Sequence, residues 1–282
     1  LLQAAAHRAT DLRVVVDSKG GVRALSEAAR RNGCVAGALL EIDVGLHRCG
    51  LAEEDPMLLP LVRSICASSD LRFVGLLSHA GHAYGASTRQ EVAQIAAEEC
   101  AILRRVRGRL EAAGIEVSEV SVGSTPTVLA GDSWEGITEI RPGNYAFLDR
   151  TPVRLGLVGM DRVALTVLTT VVSANAHYLI VDAGSKVLSS DRGAHGTAAV
   201  ADDGLAFPLG EEKDPAAALH VVKLSEEHGF IERGSGDLPL GSKLRIVPNH
   251  ACPVVNLADS LTAISGEREI AHWRVAARAK TR

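Results

Sequence analysis

The rhythm of apolar and polar positions changes once along the chain. Across residues 12–147 short apolar runs alternate with amphipathic stretches, the pattern of βα units around a parallel sheet. "LRVVVDS" reads as a strand leading into "GGVRALSEAARRNG", where Val22, Leu25 and Ala29 fall at helical spacing and Gly33 ends the helix. "VAGALLEIDVG" is a second strand, followed by a helix over about residues 56–69. After it come "LRFVGLLSHAG", a long Glu/Ala/Arg-rich helix over about residues 88–113, "VSEVSVGSTPT" and "ITEIRPGNYAF". That makes five strands, each ending in polar or glycine-rich residues. Nothing before Leu12 reads as the other three strands of a (β/α)8 barrel. The expected first domain, residues 1–150, is therefore a partial TIM-type barrel of an α/β chain.

Past Asp149 the helical period fades. "VALTVLTTVVSANAHYLIVDAG", "GLAFPLG", "AALHVVKLSEEHGFI", "KLRIVPNHACPVVNL" and "REIAHWRVAARAK" read as strands separated by turn residues. An all-β C-terminal domain over residues 151–282 is expected, with the boundary near residues 148–160. Within "RIVPNHACPVVNL" the strand reading places His250 and Cys252 at i and i+2, side by side on one face. An imidazole and a thiol so placed form a candidate metal pair. A buried Cys is also commonly a small hydrophobe.

Composition narrows the function classes. The chain has 282 residues, 46% hydrophobic and 23% charged, with a net charge of -4. No basic run is present, which argues against a nucleic-acid partner. No apolar stretch approaches the roughly 20 residues that span a bilayer, so a membrane partner is not expected either. The five cysteines are odd in number and irregularly spaced, unlike a secreted disulfide framework, and a cytoplasmic location fits. "LLQAAAHRATDLR" lacks the plan of a signal peptide and reads as the tail of a helix, so the chain is expected to open in mid-fold.

In a parallel barrel, catalytic groups sit at the C-terminal ends of strands. Here those ends carry Leu46-His47-Arg48-Cys49-Gly50; His79, His82 and Tyr84; the hydroxyls and glycine amide of "SVGSTPT"; and Arg141, Gly143, Asn144 and Tyr145. Singly, each has a plain structural reading: Arg48 pairs with a carboxylate, the histidines belong to a loop, and "GSTPT" and "RPGN" are turn chemistry. Together, hydroxyls and free N–H groups on adjacent strand ends make an anion cradle. With an Arg and two His nearby, the site suits a phosphorylated planar cofactor.

Seven motifs in order, "EIDVGLHRCG", "GLLSHAGHAYG", "SVGSTPT", "EIRPGNYAFLD", "LIVDAGSKVLSSDRG", "SEEHGFI" and "PNHACPVVNL", resemble the D-serine dehydratase and D-threonine aldolase family. These are pyridoxal-phosphate enzymes of the alanine racemase fold. The resemblance implies pyridoxal 5'-phosphate, a divalent metal, a small D-amino acid substrate and a homodimer. It implies that Arg48 lies near the phenolic oxygen of the cofactor and that His79 packs against its ring. Tyr84, Ser124, Thr125, Gly143, Asn144 and Tyr145 would hold the phosphate, and Arg141 occupies the position that faces the pyridine nitrogen in the racemases. His250 and Cys252 would hold the metal, with zinc preferred and manganese the alternative. Members resembling dehydratases carry His-x-Cys, whereas those resembling aldolases typically carry His-x-Asp, so dehydration of a D-3-hydroxy amino acid such as D-serine is preferred over aldol cleavage.

The family also needs a lysine that forms a Schiff base with the cofactor. Lys19, Lys186, Lys213, Lys223, Lys243 and Lys280 all stand outside that setting. The segment carrying it is expected to precede Leu1, and the 282-residue chain alone is expected to be inactive. A non-catalytic pyridoxal-phosphate-binding protein would lack the second domain and the His-x-Cys pair. A structural zinc site would need about four ligands.

Overall fold

The computed structural model describes residue 2 and residues 11–194, 200–211, 214–233, 238–266 and 268–280. Lys213 lies outside the described residues, as does most of the opening stretch read as the tail of a helix. The chain divides into two compact units, Leu1–Pro142 and Gly143–Arg282.

In the first unit, β1 (Arg13–Val16), β2 (Ala36–Ile42), β3 (Leu71–Ser78), β4 (Glu119–Val122) and β5 (Glu139–Ile140) form one parallel sheet in sequence order. The helices α1 (Lys19–Arg31), α2 (Leu58–Cys66), α3 (Arg89–Ala112) and α4 (Thr125–Ala130) lie between them in the chain. The local sequence accounts for their ends. Ser18 caps α1 by accepting from Gly21 N at 3.2 Å, and Thr88 caps α3 by accepting from Glu91 N at 3.2 Å. Val22, Leu25 and Ala29 of α1 are buried, as their spacing predicts. They share a core with Leu40 and Ile42 of β2, Leu61 and Ile65 of α2, and Leu103 and Val106 of α3. At Gly75 the register of β2 against β3 shifts, and a Cβ there would sit 1.9 Å from Glu119 O. Only glycine lets β3 and β4 approach so closely.

In the second unit, β6 (Val167–Ala174), β7 (Tyr178–Val181), β8 (Gly204–Pro208), β9 (Leu219–Leu224), β10 (Gly229–Glu232) and β11 (Lys243–Pro248) close into an antiparallel barrel ordered β10-β7-β6-β11-β8-β9. Alternate residues such as Val171, Leu179, Val181, Ile231, Leu244 and Ile246 fill its core. Closure leaves this sheet no open edge. A separate hairpin, β12 (Ser260–Ser265) and β13 (Arg268–Arg274), follows. Three short helices also occur: α5 (Arg150–Arg154), α6 (Ser185–Leu188) and α7 (Ala251–Leu257).

The strand reading of "PNHACPVVNL" needs correction. β11 stops at Pro248, His250 is the extended N-cap residue, and Cys252 lies in the first turn of α7. Pro253 cannot donate to a ladder but is tolerated in a first helical turn, and Ala251 and Val254 are buried at i and i+3. All five cysteines are free. Among the described residues no helix is long and apolar enough to cross a membrane.

Candidate active site

In the first unit the chemistry-bearing residues gather at the C-terminal ends of the parallel strands. After β2 the chain turns sharply around Asp43, whose Oδ1 accepts from Gly45 N and His47 N, both at 3.0 Å. Its Oδ2 lies 2.7 Å from His47 Nδ1. Burial works to raise the Asp43 carboxyl, but these donors hold it below its ordinary value. Arg48 is exposed on the same turn. Glu41 and burial push the Cys49 thiol above its usual range, with Arg48 acting the other way.

His79, just past β3, lies with Nδ1 3.3 Å from Gly123 O, which joins the ends of β3 and β4. Tyr84 sits half-buried in a short turn over Gly81–Gly85. His82 packs its ring against Gly45, and burial lowers its pKa. Gly123 takes φ +112°, a backbone open to glycine, and swings the chain into α4. Ser124 caps α4 in a reciprocal arrangement with Thr127, and both Ser124 and Thr125 are buried.

Arg141 follows β5. Its Nε donates to Ser121 Oγ at 2.7 Å, and its Nη2 donates to Ser78 O. The guanidinium thus spans the ends of β3 and β4. Burial lowers its pKa, while Glu99, Glu139 and Glu41 act the other way.

Glu99 was missed by the census of strand ends because it stands on α3. It is 1% exposed and accepts through Oε1 from Ser78 Oγ at 2.7 Å and Gly123 N at 3.1 Å. Its Oε2 is buried without a hydrogen bond. Burial therefore holds the carboxyl above its ordinary value. A signal was present: Glu99 falls on the stripe Val92, Ala96, Cys100, Leu103 and Val106, a core face where a carboxylate is out of place.

In the second unit, Gly143 is exposed and a Cβ there would meet open space, while Tyr145 is largely exposed. Asn144 is buried and donates to Asp149 Oδ2 at 2.6 Å. His250 Nδ1 lies 2.8 Å from Asp191 Oδ2, and Cys252 follows two positions later in the first turn of α7. The two residues thus stand at a helix start and not on a strand face. Burial alone would lower the His250 pKa, but Cys252 and Asp191 raise it to about 9. Ligation would require this ring to give up its proton. Asp191 holds the His250 ring in place from the loop that ends the motif "LIVDAGSKVLSSDRG". A cavity of about 720 Å³ lies elsewhere in this unit, lined by aliphatic residues with Phe147 and Trp273 and edged by Lys186 and Arg245. None of the expected site residues lines it.

Comparison with known proteins agrees with this arrangement. Residues 2–151 match the "Alanine racemase, N-terminal domain" family, and residues 164–264 match the "Putative serine dehydratase domain" family. The D-threo-3-hydroxyaspartate dehydratase of Delftia sp. (strain HT23) is 34% identical over 281 residues, covering 94% of this chain and 72% of the relative. Its solved structure superposes with a TM-score of 0.87 over 95% of this chain and 73% of that one, at 33% identity. Alanine mutants of that enzyme at a histidine and at a cysteine two positions later have been solved, the cysteine mutant in the metal-free form. The 3-hydroxy-D-aspartate aldolase of Paracoccus denitrificans is 30% identical over 277 residues, covering 95% of this chain and 67% of the relative. The order of strand-end motifs, the parallel sheet followed by a β barrel and these likenesses over nearly all of this chain lead to one assignment: the chain belongs to the D-serine dehydratase and D-threonine aldolase family of pyridoxal-phosphate lyases, of the alanine racemase fold.

Proposed function

We propose that this protein is a pyridoxal-phosphate- and zinc-dependent dehydratase of a D-3-hydroxy amino acid such as D-serine, releasing a 2-oxo acid and ammonia. The observation that carries the reading is the placement of His250 and Cys252 two positions apart at the start of α7, with His250 held by Asp191. Nitrogen and sulfur donors suit zinc better than magnesium or manganese. Among the described residues no group of three or more His, Cys, Asp or Glu side chains is arranged to hold a metal, so two ligands would leave open positions for a substrate. The same observation disfavours a closed structural zinc site.

The first unit fits the cofactor in its chemistry. Ser124, Thr125 and the turn at Gly123 offer polar groups to a phosphate, with Tyr84 as a further contact; the resemblance adds Gly143, Asn144 and Tyr145. Arg48 would meet the phenolic oxygen, His79 would pack on the ring, and Arg141 would face the pyridine nitrogen. The two serine contacts of Arg141 fix its orientation, so its charge can be presented without reorganisation. When bound, pyridoxal phosphate supplies an electron sink once the α-proton leaves, and zinc supplies a Lewis acid for the β-hydroxyl. His250 and Cys252 would place that acid, and Asp191 would hold His250 in the right orientation.

The runner-up is retro-aldol cleavage, favoured by the likeness to the Paracoccus aldolase. D-threonine separates the two, because both reactions can start from it. The natural full-length protein, supplied with pyridoxal phosphate and zinc, is expected to yield 2-oxobutanoate and ammonia. Glycine and acetaldehyde would instead assign it to the aldolases.

A further inference from the structure

The second unit holds a buried carboxylate that none of these roles uses. Asp149 is 1% exposed, and three N–H donors converge on it, two from its own stretch of chain and one from a distant segment. Thr151 N donates to Oδ1 at 3.0 Å, Asn144 Nδ2 to Oδ2 at 2.6 Å and Ala251 N to Oδ2 at 2.9 Å. The first bond is the ordinary cap of α5. Of the other two, the bond from Ala251 N satisfies the first N–H of α7, and the bond from Asn144 serves no helix start. One holds Asn144, and the other reaches 102 positions along the chain to the residue between His250 and Cys252. A second tie runs alongside: Thr151 Oγ1 donates to Asn249 O at 3.2 Å, and Asn249 Nδ2 donates to Asp202 O at 2.7 Å.

We propose that Asp149 is a positioning residue joining the segment that bears Asn144 to the loop that bears the metal pair, so that filling either site strengthens binding at the other. The inference rests on the reading that gives Asn144 to the cofactor phosphate and His250 and Cys252 to zinc. One oxygen accepts from both segments, so displacing either breaks a bond that also orders its neighbour. A ligand that orders one segment therefore lowers the ordering cost met by the second ligand. Linkage makes the effect reciprocal.

The test uses the natural full-length protein freed of zinc and cofactor. Zinc affinity is measured by competition with a chelating dye, with and without saturating pyridoxal phosphate, and cofactor affinity by absorbance, with and without zinc. Each ligand is expected to tighten the other roughly tenfold. In Asp149→Asn the amide turns an N–H toward at least one of the three donors, and the coupling should fall below about twofold while both ligands still bind. A merely structural role would weaken both affinities and leave their coupling intact. Affinities independent of the other ligand in the natural protein would overturn the proposal even if the variant does not fold. Full coupling in Asp149→Asn would overturn it as well. Failure of the natural protein to bind zinc at all would remove the metal reading first, and this inference with it.

Discussion

The two units hold their chemistry by opposite means. In the first, Arg48, His79, Ser124 and Arg141 follow strands that run the same way, so the topology brings their ends to one edge. Arg141 needs only Ser121 and Ser78, neighbours on that edge. In the second, strands of a closed antiparallel barrel alternate in direction and share no common edge. Its pair stands at a strand-to-helix junction held by Asp191, 59 positions from His250, and by Asp149, 102 positions from Ala251. Parallel order supplies a site by topology, whereas the barrel builds one from specific distant hydrogen bonds.

That contrast is sharpest at the metal pair. Cys252→Ala should weaken zinc binding by more than the roughly 10–100-fold that loss of an outer partner costs. Metal analysis after dialysis checks this, and pyridoxal phosphate should still bind, at the affinity the natural protein shows without zinc. Zinc retained at full occupancy would remove Cys252 from the site. Asp191→Asn tests the outer partner, with an expected loss of about 10–100-fold in zinc affinity by chelator competition. An unchanged affinity would mean that the loop bond is incidental.

In the first unit the sharpest probe is Glu99. Glu99→Ala leaves the Ser78 hydroxyl and Gly123 N–H without their buried acceptor, a loss of about 1–3 kcal/mol per group by urea unfolding. The pH dependence has a definite sign. The folded pKa is raised, so the stability tied to the neutral carboxyl is complete below the unfolded value of about 4.3 and declines as pH rises through the folded value. Glu99→Gln, which imitates the neutral form, should flatten that decline. A natural protein whose urea midpoint does not fall over this range would contradict the assignment. The smallest effect is expected at Thr88→Ala, where loss of the α3 cap should cost about 1 kcal/mol, with Thr88→Ser restoring most of it.

Glu99 and His250 show where legibility stops. Glu99 was visible as a charge on an apolar stripe, yet its partners at the end of β3 and just past β4 lie 21 and 24 positions away and had no local mark. His250 and Cys252 were found by residue type and spacing, while the geometry expected for them failed because Pro253 starts a helix better than it continues a strand.

By itself the sequence determined the five βα-type strands of the first unit, the extents of α1 and α3, the change to strands after residue 150, and the residue types at the strand ends. These follow from period, caps and turn residues, all of which act within a few positions. Only the tertiary structure decided that a helix start receives His250 and Cys252, that Asp191 bonds His250, and that Asp149 and Glu99 tie strand ends and loops together. Each of those is a bond between groups distant in the chain, and its strength comes from burial, which local pattern does not encode.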